Sequence, residues 1–376
     1  MKAQLNRSVA VLGTGSYLPE RVISNPVLED LIIGYDSERS GDFTTWVDRV
    51  THISERRYVS DEQTVADIGS RAAKKALEMA GVEANELDLI ILASFTGASS
   101  VPGDHVLIAR ELGADATPSF THTAACAGSV QAMAMAYGML ASGVMRRILV
   151  VGAETISPTL DYADALTSIL FGDGAGAVVL GTVPESDGGM LPPVLGHEFN
   201  WENITMANIN QPFLSKVHTP SDGTRPPGIE KAYLKMISGP SVLRNAVNTM
   251  AGCVRQCLGF ESDADDGYAD TMAGARVIPH QANGRIVDGL RKKLGVTAEQ
   301  VTKTVYKVGN LSAASNVIAL DFAMRKGNLR ADVDGESGKI LAIEEYGKPI
   351  EKGELVVLPT IGAGYLFGAV GFVHLG

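Results

Sequence analysis

The sequence holds few of the features that mark secreted, membrane-embedded or nucleic-acid-binding proteins. Its 376 residues include only three cysteines, an odd number with no disulfide framework, which predicts a reducing compartment. There is no run of about 18 uninterrupted apolar residues, and the first residues lack the apolar core of a signal peptide. At a formal net charge of −11, the positive excess needed for general binding to nucleic acid or anionic membranes is missing. We therefore predict a cytoplasmic protein that binds neither nucleic acid nor membrane.

Two of the cysteines show no recognisable metal motif. Cys253 and Cys257 are four residues apart in a helical pattern, so they share one face of a helix. With no histidine or second cysteine pair nearby, packing in the core is favoured over a metal site. We predict neither a metal nor a cofactor.

Alternating apolar strands and helical patterns predict an α/β fold. With 45% hydrophobic residues, the chain can bury a large core, formed by two domains or by two halves of one. Continuous apolar runs at residues 87–94 and 147–153 follow helical patterns at residues 64–80 and 104–112. Such runs are typical of a parallel sheet covered on both faces.

The second part of the chain repeats this order. A Pro- and Gly-rich segment at residues 184–231 predicts a boundary, giving halves at residues 1–183 and 184–376. The Gly-rich strand near residue 172 is echoed near residue 362, which favours a duplication, with ligands near strand ends where the halves meet. The predicted elements of the second half are helices over residues 238–258, 283–294 and 313–326 and strands over residues 275–279, 304–308, 354–359 and 362–374.

A candidate nucleophile, Cys126, lies where a short β-rich run turns into a helix. Small residues surround it, and an Ala- and Met-rich helical pattern follows until Gly143, a C-cap residue. Small neighbours leave room for an acyl group, and the helix N-terminus favours the thiolate. A buried, inert core cysteine is the alternative, and this segment alone does not decide between them.

Two polar residues far downstream occupy similar positions. His280 follows an apolar strand and precedes a helix, and Asn310 follows the predicted strand at residues 304–308. Three polar side chains at three strand ends, from both halves, can converge in one cavity. Taken singly, each has a plainer interpretation, since a strand-end histidine is usually a satisfied polar residue and an asparagine after glycine usually forms a turn.

Five motifs together resemble the β-ketoacyl-acyl-carrier-protein synthase III family of the thiolase superfamily, in its order and spacing and over nearly the whole chain. The resemblance implies a thiolase-like α/β fold, with two duplicated αβαβαββ halves in five α-β-α-β-α layers, and a homodimer. The motifs are Gly-Thr-Gly-Ser-Tyr-Leu-Pro at residue 13, Ala-Ala-Cys-Ala-Gly at 124, Leu-Phe-Gly-Asp-Gly-Ala-Gly-Ala at 170, Pro-His-Gln-Ala-Asn at 279 and Gly-Asn-Leu-Ser-Ala-Ala-Ser at 309.

The resemblance implies a catalytic set of Cys126, His280 and Asn310 and a two-step condensation. Cys126 would take an acyl group from a thioester. A malonyl thioester on acyl carrier protein would then decarboxylate, and its carbanion would attack the acyl-enzyme to give a β-ketoacyl product. Neutral His280 and Asn310 would donate N–H groups to the enolate, and the backbone N–H groups of Cys126 and Ala363 would form the oxyanion hole. The pathway would be fatty-acid initiation or a specialised polyketide or other secondary one.

The resemblance also assigns binding positions. Arg285 matches the family's basic contact with the acidic carrier protein, and three further cations extend it, although a solvated helix face is an equal interpretation for Lys292. The docking residues are Arg285, Arg244, Arg291 and Lys292. The substrate-binding residues are Trp46, Met236, Gly239, Ala282, Asn283, Ile361 and, on the partner subunit of the dimer, Val101.

Departures from the family bear on the acyl donor and the acyl chain. Val50 stands where the family has an adenine-stacking arginine after Trp46, which leaves acyl-CoA and acyl carrier protein open as donors. Ile361 and Val101 replace larger phenylalanines, which predicts a pocket that accepts more than acetyl. The long segments at residues 32–44 and 331–350 are expected to be loops that cover the entrance.

Three other functions need different residues from condensation. A thiolase-fold acyltransferase that forms an ester or amide is the main alternative, although such a transfer does not need the donor at Asn310. A hydroxymethylglutaryl-CoA-synthase-like enzyme requires a carboxylate base near the cysteine, and no matching Glu motif is present. A non-catalytic subunit usually lacks the nucleophile, whereas Cys126 is retained.

Overall fold

The fold is built on two mixed β-sheets, each covered by helices on both faces, in a computed structural model that describes residues 7–184, 188–199, 204–206, 234–236 and 239–376. The strands are β1 (Arg7–Tyr17), β2 (Arg21–Ser24), β3 (Glu55–Tyr58), β4 (Leu89–Ala93), β5 (Ser119–His122), β6 (Arg147–Thr155), β7 (Asp173–Pro184), β8 (Val194–His197), β9 (Ile204–Thr205), β10 (Lys235–Met236), β11 (Ala275–Val277), β12 (Asn328–Val333), β13 (Ile340–Tyr346), β14 (Leu355–Gly362) and β15 (Leu366–Val373).

Helices connect these strands and cover both sheets. They are α1 (Asn25–Glu29), α2 (Ser37–Ser40), α3 (Phe43–Thr51), α4 (Val65–Ala80), α5 (Asp104–Glu111), α6 (Gly128–Ala141), α7 (Ala165–Ser168), α8 (Gly239–Cys257), α9 (Tyr268–Ala273), α10 (Gly284–Leu294), α11 (Val305–Val308) and α12 (Ser315–Lys326). Among these described helices, none is both long and apolar enough to cross a bilayer.

Helix α4 shows how the sequence sets an element. The Thr64 hydroxyl accepts the Asp67 N–H while the Asp67 carboxylate accepts the Thr64 N–H, a capping box at the first turn. Gly81 ends the helix in the left-handed region, at φ 61°. Between these caps we expect an apolar stripe of Val65, Ile68, Ala72, Ala76 and Met79. The first four are fully buried against the first sheet, whereas Met79 in the last turn is 40% exposed.

The helices and sheets stack in five layers. Helices α4 and α5 cover the outer face of the first sheet, and α8 and α10 cover the outer face of the second. Helices α6 and α12 lie between the sheets, and their apolar side chains share one core with the inner faces of both. The predicted five-layer α-β-α-β-α architecture is confirmed.

The second sheet repeats the strand order of the first. The first has the order β1-β7-β6-β4-β5, and the second has the order β8-β15-β14-β11 when read from the same side. In both orders the first strand is antiparallel to the second and the second is antiparallel to the third, whereas the fourth is parallel to the third. A parallel bridge between Val277 and Val301 takes the place of a fifth strand in the second sheet.

Glycines allow the central layer to pack closely against the first sheet. A Cβ on Gly152 of β6 would lie 2.6 Å from the carbonyl oxygen of Ala313, and one on Gly176 of β7 would lie 2.8 Å from the backbone nitrogen of Ile318. Both distances are too short for any side chain, so these positions require glycine. The segment that leads into α12 is thereby pressed against the middle of the first sheet.

Three local predictions are wrong. Residues 304–308 form the short helix α11 rather than a strand, with Gly309 at φ 69° after it. The segment 32–44 contains α2 and the start of α3 rather than an irregular loop, and most of segment 331–350 belongs to the antiparallel β12–β13 hairpin. The other predicted helices and strands listed above occur within a few residues of their expected bounds. The boundary near residue 184 stays a prediction, because most of residues 184–231 lie outside the described residues.

Candidate active site

Cys126 lies in a one-turn 3₁₀ helix, Ala125–Ala127, between β5 and α6. Ala125 has φ 46°, a left-handed conformation that alanine adopts only at a cost of roughly 1–3 kcal/mol. The end of β14 holds this turn in place. The Thr360 hydroxyl donates to the Cys126 carbonyl oxygen at 3.1 Å, and a Cβ on Gly362 would lie 3.0 Å from the Cys126 nitrogen.

The thiol is protonated at rest. Cys126 as a residue is partly exposed, yet burial around its sulfur, with a smaller contribution from the charge of Glu154, raises the pKa of the thiol to about 11. The Ser312 hydroxyl, which donates to Sγ at 3.2 Å, acts in the opposite direction. The expected benefit of the α6 N-terminus is therefore outweighed by desolvation, and a 3₁₀ turn separates the sulfur from the helix proper.

His280 is a buried, neutral imidazole. It follows β11, is 1% exposed, and its backbone N–H donates to the Pro359 carbonyl at 3.0 Å. Burial lowers the pKa of His280 to about 3, and within the described structure its Nδ1 has no hydrogen-bond partner. At neutral pH the ring can therefore donate or accept a hydrogen bond, but it does not carry a charge.

Asn310 is held by backbone pairing on both sides. Its N–H donates to the Leu170 carbonyl at 2.8 Å, and its carbonyl accepts the Gly172 N–H at 3.1 Å. Its side-chain Oδ1 accepts the Ser312 N–H at 2.9 Å. Because a backbone N–H can only donate, this contact fixes the amide orientation and leaves the two Nδ2 protons free to face elsewhere.

Strand β14 and the Ser312 turn bring the three predicted catalytic residues into one region. Strand β14 contacts Cys126 through Thr360 and His280 through Pro359. Ser312 contacts both Asn310, through its N–H, and Cys126, through its hydroxyl. Two of the three residues follow strands, as expected, whereas Asn310 follows α11.

Ala363 directly follows β14 and begins a further 3₁₀ turn, Ala363–Tyr365. The close contact of Gly362 with the Cys126 nitrogen brings this peptide next to the nucleophile turn. Two backbone N–H groups near one sulfur are what an oxyanion hole requires. The assignment of the hole to Cys126 and Ala363 stays a prediction.

The predicted substrate-binding residues have different surroundings. Ile361 is 7% exposed and packs in the core cluster of the second half, alongside Ala282. Asn283 caps α10, accepting the Arg285 N–H at 2.8 Å, and donates to the Val50 carbonyl at 3.3 Å. Val101 is 88% exposed in the single chain. Met236 ends β10 and Gly239 begins α8, and the surroundings of the Met236 side chain lie outside what the structure describes.

Trp46 is covered by its own chain. Its ring lies 5.4 Å from that of Tyr35 and 5.8 Å from that of Phe43, measured between ring centroids. The β12–β13 hairpin reaches the same helix, since the Ile340 N–H donates to the buried Asp48 carboxylate at 3.0 Å. Both segments that were expected to cover the entrance thus contact α3, one through Tyr35 and one through Ile340.

The predicted docking residues lie on α8 and α10, which pack together on the outer face of the second sheet. Arg244, Arg285 and Lys292 are exposed and Arg291 is half-buried. None of the four forms an ion pair with a described residue. Their charges therefore face solvent, which both a docking patch and a solvated helix face require.

Sequence reasoning missed three residues that shape the site. Ser312 lies in the motif that contains Asn310, so its hydroxyl could have been proposed as a site residue from the sequence. Glu154 is a fully buried carboxyl group near Cys126, and nothing in its local sequence indicates this. Arg56, also fully buried, donates to the Ile169 carbonyl at 2.6 Å and lies against Gly309, so it supports the Asn310 segment.

Comparison with known proteins places the chain in one family. Residues 120–198 match the model for 3-oxoacyl-[acyl-carrier-protein] synthase III, and residues 274–334 match the model for its C-terminal region. The chain is 33% identical over 347 residues to β-ketoacyl-[acyl-carrier-protein] synthase III 1 of Vibrio vulnificus, covering 92% of this chain and 98% of that one.

Solved structures agree with this relationship. The crystal structure of 3-oxoacyl-[acyl-carrier-protein] synthase III from Aquifex aeolicus matches with a TM-score of 0.77 and 30% identity, over 98% of this chain and 100% of that one. The priming β-ketosynthase of the R1128 polyketide pathway matches with a TM-score of 0.79 and 30% identity, over 100% of this chain and 98% of that one. The chain therefore belongs to the β-ketoacyl-acyl-carrier-protein synthase III family, within the condensing and acyltransferase class of enzymes.

Proposed function

We propose that this chain catalyses a decarboxylative Claisen condensation, in fatty-acid or polyketide initiation. In the first step the Cys126 sulfur attacks an acyl thioester, its S–C bond forms, and the donor thiol leaves with the proton. In the second step a malonyl thioester on acyl carrier protein loses CO2. The resulting enolate carbon attacks the acyl carbon and the bond from that carbon to the Cys126 sulfur breaks. The products are a β-ketoacyl thioester and the Cys126 thiolate, which takes a proton from water.

The contact between Ser312 and Cys126 carries this proposal. At 3.2 Å, it joins the turn of the nucleophile to the turn that orients the Asn310 amide. With the neutral His280 bonded to the same strand, β14, the site offers hydrogen-bond donors without a positive charge. Such donors suit an enolate that forms in place and is consumed there.

The test is intact-protein mass spectrometry of wild type and Cys126→Ala with a panel of acyl thioesters, followed by malonyl-carrier-protein. We expect an acyl adduct on wild type only, discharged to a β-ketoacyl product. An adduct that ignores malonyl thioester but discharges to an alcohol or amine would favour the acyltransferase. The retained Asn310, oriented by Ser312, is the observation against that alternative.

We propose a carrier protein as the acyl donor, because Tyr35 and Phe43 pack on the Trp46 ring and Val50 provides no cation beside it. Acyl-carrier-protein should acylate Cys126 faster than the matching acyl-CoA. If Tyr35→Ala leaves a slow acyl-CoA reaction unchanged, the packing of Tyr35 on Trp46 is not what slows acyl-CoA.

Longer acyl chains on the same donors test the pocket expected at Ile361 and Val101, and strict acetyl preference would contradict it.

We propose a homodimer formed at the free edge of the first sheet. Strand β5 pairs only with β4 among the described strands, and the neighbouring loop and helix expose Val101, Val106 and Leu107 at 88%, 45% and 50%. An unpaired strand edge beside exposed apolar residues is a surface that a second copy can cover. Analytical ultracentrifugation of wild type and Val101→Asp tests this, and a wild type that stays monomeric at all concentrations would contradict it.

A further inference from the structure

Glu154 is the buried ionisable group beside the nucleophile that the proposed reaction does not use. It lies on β6, is 0% exposed, and pairs in register with Gly174 of β7. Its charge is one of the causes that raise the pKa of the Cys126 thiol. A carboxyl group in such a position is costly to bury unless it is neutral or paired.

The geometry of β6 points Glu154 toward the catalytic turns. Gly152 and Glu154 are two residues apart on one strand, so both project from the same face. A Cβ on Gly152 would meet the Ala313 carbonyl at 2.6 Å, and a Cβ on Gly174 would meet Leu311 at 3.1 Å. That face therefore lies against the turn of Ser312, whose hydroxyl contacts the thiol.

The two carboxyl oxygens have different environments. Oε2 accepts hydrogen bonds from the Ser94 hydroxyl at 3.2 Å, from the N–H groups of Phe95 and Thr96 at 3.3 and 3.2 Å, and from the Thr96 hydroxyl. Oε1 is buried and has no hydrogen-bond partner in the described structure. Because Oε2 already accepts several donors, a proton on this carboxyl group belongs on Oε1.

We propose that Glu154 is a positioning residue of the Cys126 site, held protonated with its O–H on Oε1, and that Cys126 reacts while Glu154 is neutral. The neutral acid anchors the loop at Ser94–Thr96 and adds no negative charge beside the forming thiolate. Ionised Glu154 would add a negative charge to the buried surroundings of the Cys126 thiolate, and this charge would oppose loss of the thiol proton. This inference rests on the proposed role of Cys126 as the nucleophile.

The surroundings of Glu154 agree with a neutral acid. Burial raises its pKa to about 8, although the hydrogen bonds from Ser94, Phe95 and Thr96 lower it. The groups that face it are Ser94–Thr96 after β4, Gly174 on β7, and the Ser312 turn, none of which carries a charge. The thiol of Cys126 is a titratable group that responds to the charge of Glu154, and His280 of the same site is neutral. Within the described residues, no cation from these elements pairs with Glu154.

The experiment is the pH profile of Cys126 alkylation by iodoacetamide, read by mass spectrometry, in wild type and Glu154→Gln. Glutamine mimics the protonated acid, since its carbonyl can accept the same donors and its NH2 replaces the O–H. Above a pH of about 8, wild-type Glu154 ionises and raises the pKa of the thiol, whereas glutamine cannot. We expect the alkylation midpoint of Glu154→Gln to lie roughly 1 pH unit below that of wild type. Equal midpoints would overturn the proposal.

A second variant keeps the test valid if Glu154→Gln does not fold. Thr96→Val removes a hydroxyl that stabilises the ionised carboxylate, so Glu154 stays neutral to higher pH and the midpoint should move toward that of Glu154→Gln. An unmoved midpoint in Thr96→Val would also count against the proposal. Asp173→Asn is the matched control, because Asp173 is equally buried on the adjacent β7 but bonded through both oxygens, to Ser157 and Val59. We expect it to lower stability without moving the midpoint.

Alkylation uses no acyl donor, so this test is separate from the proposed condensation. If Cys126 forms no acyl adduct with any thioester, the proposed function fails whatever the pH profiles show. If adducts form but the profiles of wild type and Glu154→Gln coincide, the condensation stands and the role of Glu154 fails.

Discussion

The turns that begin at Ala125 and at Ser312 share one backbone plan and carry different chemistry. Each is a 3₁₀ turn that opens with a residue at φ 46° and leads into a helix of the central layer, α6 or α12. The second residue is Cys126 in one turn and Ala313 in the other. The fold thus builds the same turn twice, placing the nucleophile in one copy and a hydroxyl directed at that nucleophile in the other.

The approach to the two turns differs as well. Strand β5 precedes the turn of Cys126, whereas α11 and an extended residue, Asn310, precede the turn of Ser312. In place of a strand, Asn310 forms a single backbone bridge with Phe171, and its side chain accepts a hydrogen bond from Ser312. The difference between the halves is therefore what supplies the amide to the site.

The largest effect should come from exchanging the residues of the two turns. Cys126→Ala should abolish the acyl adduct, and adding Ala313→Cys should not restore it, because Ala313 is 1% exposed and packs 3.3 Å from the Cβ position of Gly128. Mass spectrometry after incubation with acyl thioesters measures both variants. An adduct on the relocated cysteine would show that the turn alone, without its surroundings, makes a nucleophile.

The amide of the second turn should affect condensation more than acylation. Asn310→Ala should lower the rate of β-ketoacyl formation by roughly 10²–10³-fold, since one enolate donor is lost. Asn310→Asp should lower it further, because a carboxylate repels the enolate. Single-turnover acylation, measured separately, should change less, and an equal loss in both steps would place Asn310 in acylation instead.

The contact between the second turn and the first sheet should control stability. Gly152→Ala places a Cβ 2.6 Å from the Ala313 carbonyl and should lower the free energy of unfolding by roughly 1–3 kcal/mol. Gly138→Ala on α6 is the control, because no atom lies within 4 Å of its Cβ position and helix propensity predicts a gain of roughly 0.5–1 kcal/mol. Chemical denaturation measures both, and a neutral Gly152→Ala would mean that the two layers can move apart.

The smallest effect should come from the hydroxyl that joins the turns. Ser312→Ala removes the hydrogen bond that lowers the pKa of the thiol, so that pKa should rise and alkylation at fixed pH should slow. A hydrogen bond of about 1 kcal/mol corresponds to roughly a fivefold change. Alkylation kinetics at neutral pH measure it, with Ser315→Ala as a control, since the Ser315 hydroxyl bonds the Leu311 N–H rather than the thiol.

Site residues that lie in short motifs could be predicted from the sequence, whereas those whose contacts come from distant parts of the chain could not. Cys126, His280 and Asn310 lie in short motifs, so their neighbourhood could be predicted. The strand expected at residues 304–308 followed from its apolar and β-branched residues, but Val305, Tyr306 and Val308 are buried as a helical turn, so tertiary packing overrode local preference. Glu154 could not be predicted, because its partners lie 58–60 residues away and only the fold brings them together.

The close glycine packing at Gly152, Gly176 and Gly362 also limits how the protein can be redesigned. At these glycines backbone packs directly against backbone, so there is no side chain that a substitution could shorten. The space around the nucleophile therefore cannot be enlarged by substitutions at these contacts. Under the proposed acyl pocket and homodimer, the side chains to change for bulkier acyl groups are Ile361 and Val101.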